Sequence, residues 1–154
     1  MLKLIDKSPL ITGEIEKYIK DTIIPLRVSC LTTTGWPLIL SLWYVYRDGL
    51  LYCSTQETSK LVQFLRDDPR CAFEIASERP PYRGIRGKGE VSLSKEKGKD
   101  ILGILIDRYL DGKDSGLAKY LLSKSDNETA VIIKPLKLYT WDFSDRMEDA
   151  SFKG

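Results

Sequence analysis

The sequence predicts a mainly β chain with flanking helices, an antiparallel barrel rather than a parallel α/β sheet. Two observations carry this. Strand-like runs follow one another from residue 26 to residue 76 with one short helix-patterned segment among them, an order that βαβ units do not produce. The dipeptide Asp48-Gly49 stands between two apolar runs, the strongest short-range signal for a two-residue hairpin.

The elements can be taken in order. Residues 9–20, PLITGEIEKYIK, read as a short amphipathic helix with Ile11, Ile15, Tyr18 and Ile19 on one side. Residues 26–32 form a strand, TTGWP a turn, and 38–46 a second strand that Asp48-Gly49 returns into a third at 50–54. A helix over 59–66 ends at Asp67-Asp68-Pro69, and residues 70–76 give the next strand. A glycine-punctuated strand follows over 82–93. Ser94 then caps a helix over 95–110, with Ile101, Leu102, Leu105 and Tyr109 in one stripe, stopped by Asp111-Gly112. A short helix over 115–123 precedes two closing strands, 129–134 and 136–142, broken by Pro135. One domain over 1–154 accounts for the chain, with its core at about 24–143 and a polar tail over 144–154.

Composition narrows the function more by exclusion than by suggestion. Lys and Arg number 24 against 22 Asp and Glu, a net charge of +2 that gives no footprint for nucleic acid. No apolar run reaches the roughly 20 residues of a membrane span, and acidic residues occupy the place of a signal-peptide core, so a cytoplasmic location is expected. Cys30, Cys53 and Cys71 each lie in an apolar run and read as buried free thiols; Cys53, beside a hydroxyl cluster, is the one candidate for a reactive thiol. With 0 histidines, Ser-His-Asp and Cys-His nucleophile systems are excluded, and zinc would lack imidazole ligands. Any chemistry here is expected to come from a bound cofactor.

Two local patterns bear on that cofactor. Ser54, Thr55, Thr58, Ser59 and Lys60 crowd the junction between a strand and a helix. Such residues cap helices, and they equally suit a phosphate at a helix N-terminus. The strand 38–46 is apolar on both faces, with Leu38, Leu40, Leu42 and Tyr44 on one and Ile39, Trp43 and Val45 on the other. Its outer side therefore needs a cover: a helix, a partner subunit or a flat ligand. A two-residue hairpin would set Arg47 opposite Leu50, Tyr44 opposite Cys53 and Trp43 opposite Ser54, with Ser41 further along the Trp43 face. The Gly84-Ile85-Arg86-Gly87 run matches the GXXG of an RNA-clamping loop, but a β-pattern follows it, so its glycines read as bulges or close backbone approaches. No carboxylate pair is assigned an acid/base role.

Several phrases in fixed order resemble the FMN-binding split β-barrel proteins related to pyridoxamine 5′-phosphate oxidase. They are Arg27-Val28, Gly35-x-Pro37, SLWYVY, the Asp48-Gly49 turn, LYCST, the SK that opens a helix ending in DDPR, IRGKGEVSL with ILIDRYLDG, and IIKPLKLYTWD. The resemblance spans about residues 24–143. It implies a split-barrel homodimer with FMN between subunits and a small-molecule substrate, and it implies neither a metal nor a membrane. On the matching positions, Ser54, Thr55, Ser59 and Lys60 would hold the flavin phosphate, with Cys53 in the same strand end, while Ser41, Leu42 and Trp43 would flank the ring. The chain departs from the oxidase itself at Leu40 and Ser59, where the oxidase has basic residues, and in lacking histidine, so pyridoxamine phosphate is not expected as substrate. A flavin-dependent oxidoreductase is the leading expectation. A deazaflavin-dependent reductase of the same fold and a non-catalytic flavin-binding protein are the alternatives, and haem binders also share the shorter pattern.

Overall fold

The computed structural model describes residues 2–5 and 13–147, and residues 6–12 of the N-terminal run lie outside it. Eight strands form one antiparallel sheet: β1 Leu2–Ile5, β2 Leu26–Leu31, β3 Pro37–Leu42, β4 Val45–Arg47, β5 Leu50–Gln56, β6 Arg70–Ala76, β7 Arg83–Ser94 and β8 Glu128–Asp142. Their order is β3-β2-β6-β7-β8-β5-β4, with β1 pairing the C-terminal half of β8. Four helices accompany them: α1 Gly13–Asp21, α2 Lys60–Asp67, α3 Lys95–Tyr109 and α4 Gly116–Ser123. Among the described residues no helix is long and apolar enough to cross a membrane.

Alternation builds the interior. Leu26, Val28 and Cys30 of β2, Cys71, Phe73 and Ile75 of β6, and Leu51 and Cys53 of β5 all turn inward and are buried. Ile19 of α1 and Leu61, Val62 and Leu65 of α2 close the same core. Asp48 and Gly49 both have positive φ, 50° and 82°, the backbone that a tight primed hairpin demands. Ser59, Ser94 and Ser115 cap α2, α3 and α4 through their hydroxyls.

The structure departs from the sequence expectation in three places. The strand expected over 38–46 is two strands, because the chain breaks at Trp43-Tyr44 and passes from one end of the sheet to the other. The two closing strands are one, since Pro135 is carried at an irregularity where Lys88 pairs with Lys137 and Gly89 with Pro135, leaving Leu136 as the extra residue. That residue reverses the alternation, so Ile133 and Leu138 both face inward. The helix expected over 9–20 is described only from Gly13, and its first four residues lie outside the described chain. Strand β1 was not anticipated at all.

Candidate functional site

The hydroxyl cluster divides by task. Ser59 caps α2, its Oγ accepting from the Val62 N–H at 3.3 Å. Ser54 lies on the outer side of β5, where its Oγ donates to the Glu128 carboxylate at 2.7 Å and has the Gly98 carbonyl at 3.1 Å. Gln56 Nε2 donates to the other Glu128 oxygen at 2.8 Å, so this buried carboxylate is held by neutral donors. Thr55 is half-buried at the end of β5, and Thr58 is exposed. Lys60 is exposed at the first position of α2 with no ion-pair partner among the described residues. Beside it, Glu57 takes Lys95 at 2.7 Å and Arg66 at 3.4 Å, and the Lys95 hydrogen bond holds its carboxyl below the ordinary value. The helix start therefore presents an unengaged ammonium and first-turn N–H groups to any anion. Cys53 points away from this surface into the core, where burial pushes its thiol well above the ordinary range.

The ring-flanking segment is divided by the break in the chain. Ser41 is exposed on the outer face of β3, opposite Arg27 of β2. Leu42 packs on the core. Trp43 lies under α3, stacked on Tyr109 with ring centroids 5.1 Å apart and planes 6° from parallel. Trp43 and Ser54 do not pair, because the β4–β5 ladder ends at Val45 and Tyr52. Tyr44 is fully buried and donates to the carbonyls of Ile19 (2.8 Å) or Thr22 (2.7 Å), and Arg108 Nη2 donates to the Thr22 carbonyl at 3.0 Å. Tyr109 in turn donates to Ile24 at 2.8 Å.

The question of what covers the outer face has two answers. Over β4, β5 and the first half of β8 the cover is α3, whose Ile101 and Leu105 pack on Trp43, Val45, Tyr52 and Ile132. Over β3, β2, β6 and β7 nothing in the described chain covers it. There Trp36 is 77% exposed and Ile39 68%. A groove of about 350 Å³ crosses this open face. Ile39, Ala72 and Tyr139 supply its apolar surface, and Arg27, Arg86 and Lys88 its cations, with Glu74 the one acid. The strand β3 is also a sheet edge, so the backbone groups on its far side have no ladder partner. This groove is not among the sites expected from the sequence. Its signal was present as Arg27 and Ser29 of β2, Arg70 and Glu74 of β6, and Arg86, Lys88 and Glu90 of β7 at outer positions, but period two alone does not say which polar face will be concave.

No protein-family profile matches the chain, and no curated protein matches it. Solved structures do. A conserved hypothetical protein from Mycobacterium tuberculosis superposes with a TM-score of 0.72 at 18% identity, over 94% of this chain and 92% of that one. An F420 reductase gives 0.69 at 15% identity, over 83% and 98%. A provisionally named pyridoxamine 5′-phosphate oxidase from Listeria innocua gives 0.62 at 13% identity, over 84% and 95%. FAD-binding and haem-binding proteins share the architecture. The chain therefore has the split β-barrel fold of the proteins related to pyridoxamine 5′-phosphate oxidase. At these identities the likeness is one of fold.

Proposed function

We propose that this chain is the protomer of an FMN-binding homodimer, a cytoplasmic flavin-dependent oxidoreductase acting on a small molecule. The observation that carries the reading is the open sheet face, where an edge strand, an apolar groove and a rim of cations adjoin one another. A flavin nucleotide needs a flat apolar support and donors and acceptors for the polar edge of its ring, which this face offers, and positive charge for its phosphate, which the start of α2 adds. Ser41 and the free backbone edge at Leu42 and Trp43 would meet the ring, the latter two through main-chain groups, since the Leu42 side chain packs on the core and the Trp43 side chain lies under α3. Lys60 and the N–H groups at the start of α2, with Thr55, would meet the phosphate, while Ser59 fixes the helix start and Ser54 fixes the strand end through Glu128. A groove so shallow leaves a ring half exposed, and the uncovered Trp36 and Ile39 beside it call for a second copy of the chain as the other wall.

Bound flavin would supply hydride or electron transfer, which none of this chain's side chains can provide. The residues of the chain bind, orient and shield. A deazaflavin-dependent reductase is the second reading, favoured by the F420 reductase likeness, and it uses the same phosphate and ring contacts.

The absorption spectrum of the purified protein, followed by titration with FMN, the deazaflavin and haem, decides between them. FMN is expected to bind in preference to the other two. Lys60→Gln removes the exposed ammonium and leaves the Ser59 cap intact, and it is expected to weaken FMN at least tenfold, as charge-assisted contacts do. An unchanged affinity would move the phosphate elsewhere. Uptake of the deazaflavin alone would replace the first reading with the second.

A further inference from the structure

Where the groove ends, at Lys88, the sheet carries an arrangement that it ordinarily avoids. Lys88 of β7 and Lys137 of β8 are direct cross-strand partners on the outer face. Like charges set opposite one another destabilise a sheet. Neither lysine has an ion-pair partner among the described residues. The neighbours do not relieve them. Arg86, in the next row, lies over the Trp141 ring at 5.8 Å and adds a third cation. Glu74 stands in register between Arg27 and Arg86, and Glu90 between Arg70 and Lys134, so both acids are diagonal or next-row neighbours of Lys88 and neither faces the lysine pair directly in the ladder. Beside the pair, Ala72 and Ser29 are small and leave the space open.

Register turns this into a length. The outer-face row runs Ile39, Ser29, Ala72, Lys88, Lys137 across five adjacent strands. Four inter-strand steps of about 4.8 Å make roughly 19 Å. A ring resting at the β3 end leaves the β7–β8 end for a second molecule. A departure from local stability rules that serves nothing in the fold is expected where a ligand is bound.

We propose that the β7–β8 end of the groove is the substrate subsite, and that the substrate is a small apolar or aromatic molecule bearing a carboxylate or phosphate. The acid group sits between Lys88 and Lys137, and the apolar body lies over Ala72 toward Ile39, with Arg86 in the next row turned to Trp141. Its description as a substrate rests on the flavin reading; the anion site itself does not.

The test uses the full chain as purified and three calorimetric probes: 1-naphthyl phosphate, 1-naphthoate and neutral 1-naphthol. At least one of the anions is expected to bind tenfold or more tightly than the naphthol, and its affinity is expected to fall with added salt. The double variant Lys88→Met, Lys137→Met keeps the aliphatic stems. It is expected to lose that tenfold preference and to melt at a higher temperature than the parent, since the opposed charges are gone; Lys88→Met alone already removes the pairwise repulsion and is expected to show most of the thermal gain with only part of the loss in preference. Equal affinity for all three probes, no binding of either anion, or an anion preference that survives in the double variant would overturn the proposal. If the preference is lost in Lys60→Gln and kept in the double variant, the anion is held at the helix start: this subsite falls and the cofactor reading stands. If FMN fails to bind while the lysine-dependent preference holds, the subsite stands and the cofactor reading falls.

Discussion

Cys30 and Cys71 face each other across β2 and β6, and Cys53 lies in the same core, all three thiols free and buried. Desolvation pushes each of them up, Cys71 to about 12. The sign of the pH effect follows. An unfolded thiol ionises near about 8.5, whereas the folded one stays protonated, so the stabilisation is complete below that value and is lost as pH rises toward the folded values. The melting temperature is therefore expected to fall between pH 8 and pH 9.5, below the range in which tyrosines contribute. A Cys30→Ala, Cys53→Ala, Cys71→Ala variant should show a shallower decline, the slope rather than the absolute temperature being the readout. In the native protein a thiol reagent should label none of the three rapidly, and all of them in denaturant. Burial of these cysteines was legible from the apolar runs around them. The direction of the Ser54 hydroxyl was not, because it depends on Glu128, which arrives 74 residues later in the chain.

Helix α3 reaches the sheet through a glycine. A Cβ at Gly98 would overlap the Glu128 carbonyl, so only the bare backbone allows the first turn of the helix to rest on the start of β8. Gly98→Ala is expected to cost about 3 kcal/mol, as overpacking does, lowering the melting temperature by roughly 6–12 °C. Gly103, on the same helix, is the control. A Cβ there meets nothing closer than the Lys113 Nζ at 3.7 Å, and Gly103→Ala should stabilise by about 0.5–1 kcal/mol. A thermal melt of the pair separates contact from helix propensity. The glycines of β7 meet both expectations, bulge and close approach: Gly89 lies at the irregularity beside Leu136, and Gly87 sits hard against the Lys137 carbonyl. Pro135 was read as a break because a proline lacks the ladder N–H; the extra residue Leu136 beside it lets one strand continue through that loss. Likewise the run 38–46 has unbroken strand propensity, and only the pull of Tyr44 toward the end of α1 and of Trp43 toward α3 divides it.

Across the whole molecule, one half of the sheet is roofed by α3 and the other half is open. The antiparallel class, the hairpin at Asp48-Gly49 and the helices outside the barrel could all be read from periodicity and turn chemistry. The location of the open half could not, because the same apolar strand supplies Trp43 to the roofed side and Ile39 to the bare one. If a second copy of the chain covers the bare side, as proposed, a charge at its centre will prevent it. Ile39→Asp is expected to convert a dimer to a monomer in sedimentation velocity and to weaken FMN binding along with it, while leaving the circular dichroism of the fold unchanged, since the side chain contributes nothing to the interior. A variant that remained dimeric would place the interface on another surface.

The sheet resembles a bound book. Strand β8, hydrogen-bonded to β7 along its length and to β5 and β1 on its other flank, is the spine. The fore-edge lies between β3 and β4, where no ladder joins the covers and the peptide through Trp43 and Tyr44 is the strap, buckled by one aromatic stack and one phenol. Parting the covers there severs no rung of the sheet, so what holds them shut is that buckle and the apolar side chains packed between the pages.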